Sequence, residues 1–195
     1  GLLFLIPFLF FIFKKNILKE NIINLVIIFF LITIQGTVGW LMVKSGLVDD
    51  VTVDHYRLSA HLTLAFIILS LIYWFFLNFI FNSKKTIFSF TNGSILFKTL
   101  LILILLQISC GALVSGLDAA RVYQTWPLMN GYYFPQNFNL NFNEPGFVQF
   151  IHRNLAYLIF FISLYMVFYI HRFNLKKIYK IFYCYFTFIF IQIIL

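Results

Sequence analysis

Six long runs of apolar residues, separated by short polar connections, dominate the chain. A helix that crosses the hydrocarbon core of a bilayer needs about 20 mostly apolar residues, and the four interior runs reach that length. The first and last runs are shorter, so we expect each to be part of a span and the chain to be an internal piece of a longer protein. The predicted spans are 1–13, 21–41, 58–81, 95–117, 147–170 and 178–195.

The composition places most of this chain in lipid. It is 62% hydrophobic and 10% charged, whereas soluble domains average roughly 45–50% apolar and about 25% charged residues. A water-soluble chain of this size could not bury so much apolar surface. The sequence therefore predicts an all-α, polytopic transmembrane helical bundle.

Charge divides the connections between spans into two classes. Ten of the 14 basic residues lie on one side, with one acid, Glu20: Lys14, Lys15, Lys19, Lys84, Lys85, Lys98, Arg172, Lys176, Lys177 and Lys180. The other side carries Lys44, Arg57, Arg121, Arg153, Asp49, Asp50, Asp54, Asp118 and Glu144. The positive-inside rule predicts that the lysine-rich side faces the cytoplasm or mitochondrial matrix. Basic inner loops explain the net charge of +8 without a nucleic-acid partner.

The two connections on the predicted outer side are the longer ones, at about 42–57 and about 118–144. The second contains Trp126, Pro127, Pro135 and several Asn residues, which suit a membrane interface and preclude a regular helix. A long structured loop of this kind is more often functional than idle.

Two of the four histidines lie inside apolar spans. His61 and His152 are each about one turn below the predicted outer interface, in spans that run from outside to inside. Ionisable groups within a membrane usually face a bundle interior and mark a site, and imidazole is the commonest metal ligand. With Arg57 four residues before His61 and Arg153 directly after His152, the pattern suits heme, with iron on histidine and propionates on arginine. The alternative is a histidine bonded across helices, with each arginine reaching the headgroups.

The other reactive side chains have simpler interpretations. We expect His55 in the first outer loop and His171 at the inner end of a span to be solvated or interfacial. Cys110 and Cys184 lie in apolar runs and are interpreted as buried small hydrophobes. Asp118, near the end of a span, is interpreted as a cap or turn residue.

A short motif occurs twice. Gln35-x-x-x-Gly39 and Gln107-x-x-x-Gly111 each end a span, and each is followed by an outer loop and a histidine-bearing span. Glycines in such positions favour close packing of helices. The repetition of the whole unit suggests two duplicated halves.

Several ordered strings of residues carry a family resemblance. They are 35–47 (QGTVGWLMVKSGL), 56–62 (YRLSAHL), 111–119 (GALVSGLDA), 125–129 (TWPLM) and 148–157 (VQFIHRNLAY). In these strings, which cover both outer loops and three or four spans, the chain resembles the heme A synthases of mitochondria and related bacteria.

The resemblance implies eight spans in two similar four-helix bundles, of which this chain holds the second (partial) to the seventh (partial). Residues 1–81 would belong to the N-terminal heme-binding bundle, 82–94 to a cytoplasmic or matrix linker, and 95–195 to the C-terminal heme-binding bundle. His61 would be the second histidine of the first bundle, and His152 the first of the second bundle. Their partner histidines would lie outside residues 1–195.

The implied activity is oxidation of a heme O methyl group to the formyl group of heme A, for cytochrome c oxidase assembly. His61 and His152 would be the catalytic, iron-ligating residues, and Arg57 and Arg153 would contact propionates. Heme b would be the bound cofactor and heme O the substrate. The implied surroundings are a bacterial plasma membrane or the mitochondrial inner membrane, with heme O synthase and an electron acceptor as partners; a homo-oligomer is left open.

Two other functions fit the same topology. A di-heme cytochrome b-like electron carrier would use the same histidines without a substrate heme. A transporter would use them as proton relays and would contain no iron. The resemblance favours the synthase.

We expect the 195-residue chain by itself not to bind heme in a stable bis-histidine state, because it offers one strong axial ligand per bundle. An optical spectrum of the purified chain measures this. A sharp low-spin spectrum at full occupancy would contradict the prediction and would mean that His55 or another ligand substitutes.

Overall fold

The computed structural model describes residues 1–15, 17, 19–46, 53–81, 92–136 and 138–194. These residues form six α-helices and two short 3-10 turns, at Ala119–Arg121 and Lys176–Ile178. The helices are α1 (Leu2–Phe13), α2 (Lys19–Gly46), α3 (His55–Ile80), α4 (Asn92–Gly116), α5 (Pro145–Arg172) and α6 (Tyr179–Ile194). Within the described residues the only β pairing is an isolated bridge between Met129 and Tyr132. The predicted all-α membrane fold is confirmed.

In the described part of the chain, four helices, α2 to α5, are long and apolar enough to cross a membrane. Their outward side chains are apolar and open, as at Phe30 and Phe161, which are 62% and 64% exposed. Some hydroxyl groups in these helices bond within their own helix: Thr33 donates to the Phe29 carbonyl at 3.0 Å and Ser70 to the Phe66 carbonyl at 2.7 Å. Lipid offers no hydrogen-bonding partner, so this local bonding lets the hydroxyls face the acyl chains.

The first outer connection is shorter than predicted. Helix α2 continues to Gly46 and α3 begins at His55, so the predicted bounds of about 42–57 are wrong at both ends. The start of α3 is set by Asp54, whose side chain accepts a hydrogen bond from the Arg57 backbone N–H at 2.8 Å. His55, expected in the loop, is instead the first residue of α3, with its ring against Tyr56. Residues 47–52 lie outside the described part of the chain.

The chain divides into two compact units, Gly1–Phe88 and Ser89–Leu195. In the first unit α2 packs against α3, and α1 contacts α2. In the second, α5 packs against both α4 and α6. Of the predicted linker, 82–94, only residues 92–94 are among the described residues.

The second unit has a buried core along α5. Its side chains come from three helices and are Leu100, Ile159, Met166, Ile170 and Phe182. At the same level the hydroxyl of Ser163, which is completely buried, lies 2.9 Å from the hydroxyl of Tyr185 on α6. This bond satisfies two polar groups at an apolar interface and fixes how α6 is rotated against α5.

The second outer connection folds back onto the start of α5. Asp118 adopts a left-handed conformation (φ +50°) after α4 and begins the 3-10 turn, so the predicted turn role is confirmed. The turn buries Ala119 completely. Further along, aromatic rings form a cluster with the first turns of α5, in which the Phe134 and Phe150 centroids are 5.3 Å apart.

The two cysteines differ from each other. Both are free thiols in helices, Cys110 half-buried in α4 and Cys184 exposed on α6. The interpretation of Cys184 as a buried side chain is therefore wrong. In an apolar helix a thiol is tolerated on the exposed face because it behaves as a small hydrophobe.

Replacing Asp54 with Ala should lower the free energy of unfolding by about 1 kcal/mol, because the first turn of α3 loses the acceptor for an unpaired backbone N–H. Reversible unfolding in detergent measures this. Asp54→Asn is the matched control, since its side-chain oxygen still accepts the bond; an equal loss in both variants would contradict a capping role.

Candidate functional site

His61 on α3 faces helix α2, where it meets Gln35. The Gln35 side-chain nitrogen Nε2 lies 3.2 Å from the imidazole Nε2 and donates a second bond to the His61 carbonyl at 3.0 Å. Both side chains are partly buried between the two helices. The sequence predicts that His61 points into a helical bundle. In the structure its side chain points toward the neighbouring helix, α2.

Gly39 lies one helical turn after Gln35 and contacts the same ring. A Cβ placed on Gly39 would be 2.8 Å from the imidazole Cε1 and 3.3 Å from Nδ1, closer than van der Waals contact allows. Because residues four apart share one helix face, Gln35 and Gly39 together accommodate the imidazole. Only glycine leaves room for the ring against the backbone of α2.

The second unit repeats the arrangement. Gln107 Nε2 on α4 lies 3.2 Å from the imidazole Nε2 of His152 on α5, and a Cβ on Gly111 would be 3.2 Å from Cε1 of that ring. The histidines occupy similar positions in their helices, six residues after His55 and seven after Pro145. These offsets correspond to about 9 Å and about 10.5 Å along the helix axis. We call this arrangement, in either unit, the Gln–His–Gly contact.

The sequence revealed the repeated Gln-x-x-x-Gly motif but not its role. The glycines were interpreted as sites of close helix packing, whereas the structure places both against histidine rings, and both glutamines in hydrogen-bonding range of them. The spacing of four residues, present in both units next to a histidine-bearing span, was the signal that could have identified them.

Both contacts leave polar atoms without partners. The Nδ1 atoms of His61 and His152 and the Oε1 atoms of Gln35 and Gln107 are buried and make no hydrogen bond among the described residues. A buried, unpaired polar atom costs about 1–3 kcal/mol. The same two atoms, the imidazole Nδ1 and the amide Oε1, are unpaired in each unit, so a feature shared by the two units, rather than a local packing accident, accounts for them.

The donor chemistry fits heme better than a bare metal ion. No group of three or more His, Cys, Asp or Glu side chains is arranged to hold a metal within the described residues. An ion held by the protein alone needs about four or more ligands. Heme iron takes four nitrogens from its porphyrin and needs only one or two protein ligands, so one imidazole in each unit matches it.

Two arginines near these histidines hold backbone carbonyls. Arg57 Nη1 donates to the Leu41 carbonyl of α2 at 2.9 Å, which confirms that Arg57 and His61 share one face of α3. Arg153 donates to the Thr125 and Tyr123 carbonyls of the outer loop at 2.8 and 2.7 Å. Each arginine therefore ties its histidine-bearing helix to the element that precedes it.

The remaining histidines lie apart from these contacts within their own units. His55 is at the first residue of α3, and His171 is in the last turn of α5. The His171 Nε2 bonds to the Tyr183 hydroxyl of α6, and its ring lies against Tyr179 with centroids 4.7 Å apart. The structure gives His171 a role in packing α6 onto α5.

The chain matches known proteins along its whole length. Residues 1–195 match the model of a family described as cytochrome oxidase assembly protein. The chain is similar to the heme A synthase of Pelagibacter ubique, with 45% identity over 83% of this chain and 49% of the relative. It is also similar to the heme A synthases of Ehrlichia canis (42% identity, 82% and 48%) and Wolbachia pipientis wMel (37%, 92% and 53%). The chain spans about half the length of these curated relatives, and no solved structure matches it.

Replacing Gly39 with Ala should displace the His61 ring and lower the free energy of unfolding by about 1–3 kcal/mol, as overpacking of a tight contact does. Gly111→Ala should cost less, because its Cβ would be 3.2 Å rather than 2.8 Å from the ring. Unfolding in detergent measures both.

Gly36→Ala is the matched control, since a Cβ there meets nothing within 4 Å. It should be neutral or stabilising by up to about 1 kcal/mol, through better helix propensity. Equal destabilisation by Gly36→Ala and Gly39→Ala would refute the ring contact as the cause.

Proposed function

We propose that this chain, which belongs to the cytochrome oxidase assembly protein family, functions in a heme A synthase. Its reaction would be the oxidation of the heme O methyl group to a formyl group. The observation that carries the proposal is the Gln–His–Gly contact, which holds one partly buried imidazole in each of two membrane-embedded units. The naming of similar proteins as heme A synthases supports it.

His61 and His152 would be axial ligands of iron. Each lies on an apolar helix below its first turns and is partly buried against a neighbouring helix, where water is scarce. We assign substrate heme O to the unit with His61 and cofactor heme b to the unit with His152. When bound, heme supplies the redox chemistry of its iron.

Arg57 and Arg153 would bind propionates at the predicted outer ends of α3 and α5. A guanidinium has five N–H donors, and the bonds of Arg153 to the Tyr123 and Thr125 carbonyls leave others for an anion. Arg57 bonds one carbonyl of α2 and is exposed. Their positions near the water line would let the propionates keep their charge while the porphyrin enters the apolar region.

The chain's own contribution to the reaction would be binding, orientation and exclusion of water. The imidazoles would hold the heme iron, and the apolar side chains of α2 and α3 would keep water from the methyl group of heme O. Orientation of this kind is what a protein adds to a cofactor that carries the difficult chemistry. Conversion of a methyl group to a formyl group is a four-electron oxidation, so the intact protein would need an oxidant and an oxygen source from outside this chain.

An electron carrier of the cytochrome b type is separated from the synthase by its pigments. Extraction of the intact protein should yield heme O, oxidised intermediates or heme A beside heme B. Heme B alone would favour the carrier.

His152→Ala in the intact protein should abolish heme A production, because its unit loses the imidazole that would hold the cofactor iron. Heme extraction and chromatography from membranes measure this. His171→Ala is the matched control on the same helix, since His171 bonds Tyr183 at the other end of α5. It should retain heme A, and normal heme A in His152→Ala would count against the assignment.

A further inference from the structure

We propose that Gln35 and Gln107 are positioning residues that hold the imidazoles of His61 and His152 in the heme-free protein and must release them before iron binds. This inference rests on the proposed function, because it takes the two histidines as iron ligands. Each glutamine belongs to a Gln-x-x-x-Gly motif that precedes a histidine-bearing helix, and it would act by holding that histidine.

The atoms that meet in the first unit decide the direction of the hydrogen bond. The Gln35 amide nitrogen donates to the His61 carbonyl, which only accepts, so the nitrogen rather than the oxygen of the amide faces the helix. The same nitrogen lies 3.2 Å from the imidazole Nε2. An amide nitrogen carries hydrogens and no lone pair, so Nε2 must be the acceptor and the ring hydrogen must be on Nδ1.

This arrangement competes directly with iron. A neutral imidazole binds a metal through the lone pair of its unprotonated nitrogen, and in the first unit that lone pair points at Gln35. The other nitrogen, Nδ1, is buried, without a partner among the described residues, and beside Gly39. Coordination of His61 through Nε2 therefore requires its bond to Gln35 to break and the ring to turn away from α2.

The two units hold their histidines with different strength. Gln35 makes a second bond, to the His61 carbonyl, which fixes its amide in place. Gln107 contacts the His152 ring alone in the described structure. Gly39 also lies closer to its ring than Gly111 does. A Cβ placed on Gly39 would be 2.8 Å from Cε1 of His61, and a Cβ placed on Gly111 would be 3.2 Å from Cε1 of His152. We expect release of the imidazole to cost more in the first unit than in the second.

The bond between glutamine and histidine lowers the apparent affinity for heme, because only the fraction of molecules whose histidine is released from the glutamine can bind iron. Removing the amide should therefore tighten heme binding, whereas removing an ordinary structural contact loosens it. A net hydrogen bond of about 0.5–1.5 kcal/mol corresponds to a change of roughly two- to twelvefold in dissociation constant. Tighter heme binding after removal of the amide therefore indicates a holding role, and weaker heme binding indicates a purely structural role.

The experiment is a heme titration of the intact, heme-stripped protein in detergent, followed by the Soret band. Gln35→Leu and Gln107→Leu should each bind heme about two- to twelvefold more tightly at their own unit, with the larger gain for Gln35. Gln35→Asn, whose amide is one methylene too short to reach the ring, should behave like Gln35→Leu and covers the case in which leucine disturbs folding. Thr37→Val is the matched control on α2, because the Thr37 hydroxyl bonds only the Thr33 carbonyl of its own helix.

Weaker or unchanged heme binding in folded Gln35→Leu and Gln35→Asn would overturn the inference while leaving the proposed function intact. Absence of heme binding in the unmodified protein would remove the proposed function and this inference with it. A gain in Thr37→Val equal to that in Gln35→Leu would also overturn the inference, since the effect would then not be specific to the amide.

A second measurement needs no heme. Nitrogen-15 NMR of labelled histidine in the heme-stripped protein should show His61 with its hydrogen on Nδ1, and a mixture of both tautomers in Gln35→Leu. A His61 that carries its hydrogen on Nε2 in the unmodified protein could not accept from Gln35, and would overturn the inference.

Discussion

The hydrogen bond between a glutamine and an imidazole across two apolar helices is the constraint on which the site depends. Inside a membrane no water competes for polar groups, so each of them must find a partner in the protein. Gln35 and His61 find each other between α2 and α3, and Gln107 and His152 do so between α4 and α5. Each pair thereby fixes which faces of its two helices meet.

The two units share the Gln–His–Gly contact but differ in the hydrogen bonds at the outer end of the histidine-bearing helix. In the first, Arg57 on α3 reaches directly to the last turns of α2. In the second, Arg153 and Gln149 on α5 both bond the Tyr123 carbonyl, which ties the long loop to the helix.

In both units the Gln–His–Gly contact leaves the same two polar atoms without a hydrogen-bond partner among the described residues. Stable polar networks in membranes satisfy all their members, and an unsatisfied one usually has a functional reason. Here the unpaired atoms are an imidazole nitrogen and an amide oxygen in each unit. An incompletely bonded contact is what we expect if the imidazole is held by glutamine in the heme-free protein and is released when iron binds through Nε2.

The sequence by itself determined the helices that cross the membrane and the two histidines within them, because transfer to lipid depends on composition and run length more than on detailed packing. It also contained the Gln-x-x-x-Gly repeat. Only the tertiary structure decided that Gln35 and Gly39 meet His61, that Arg57 and Arg153 hold backbone carbonyls, and that α2 and α3 extend into the first outer connection. The reason is that spans apolar on every side have no polar face to show how each helix is rotated. That rotation is set by close packing against the neighbouring helix, which a single sequence does not reveal.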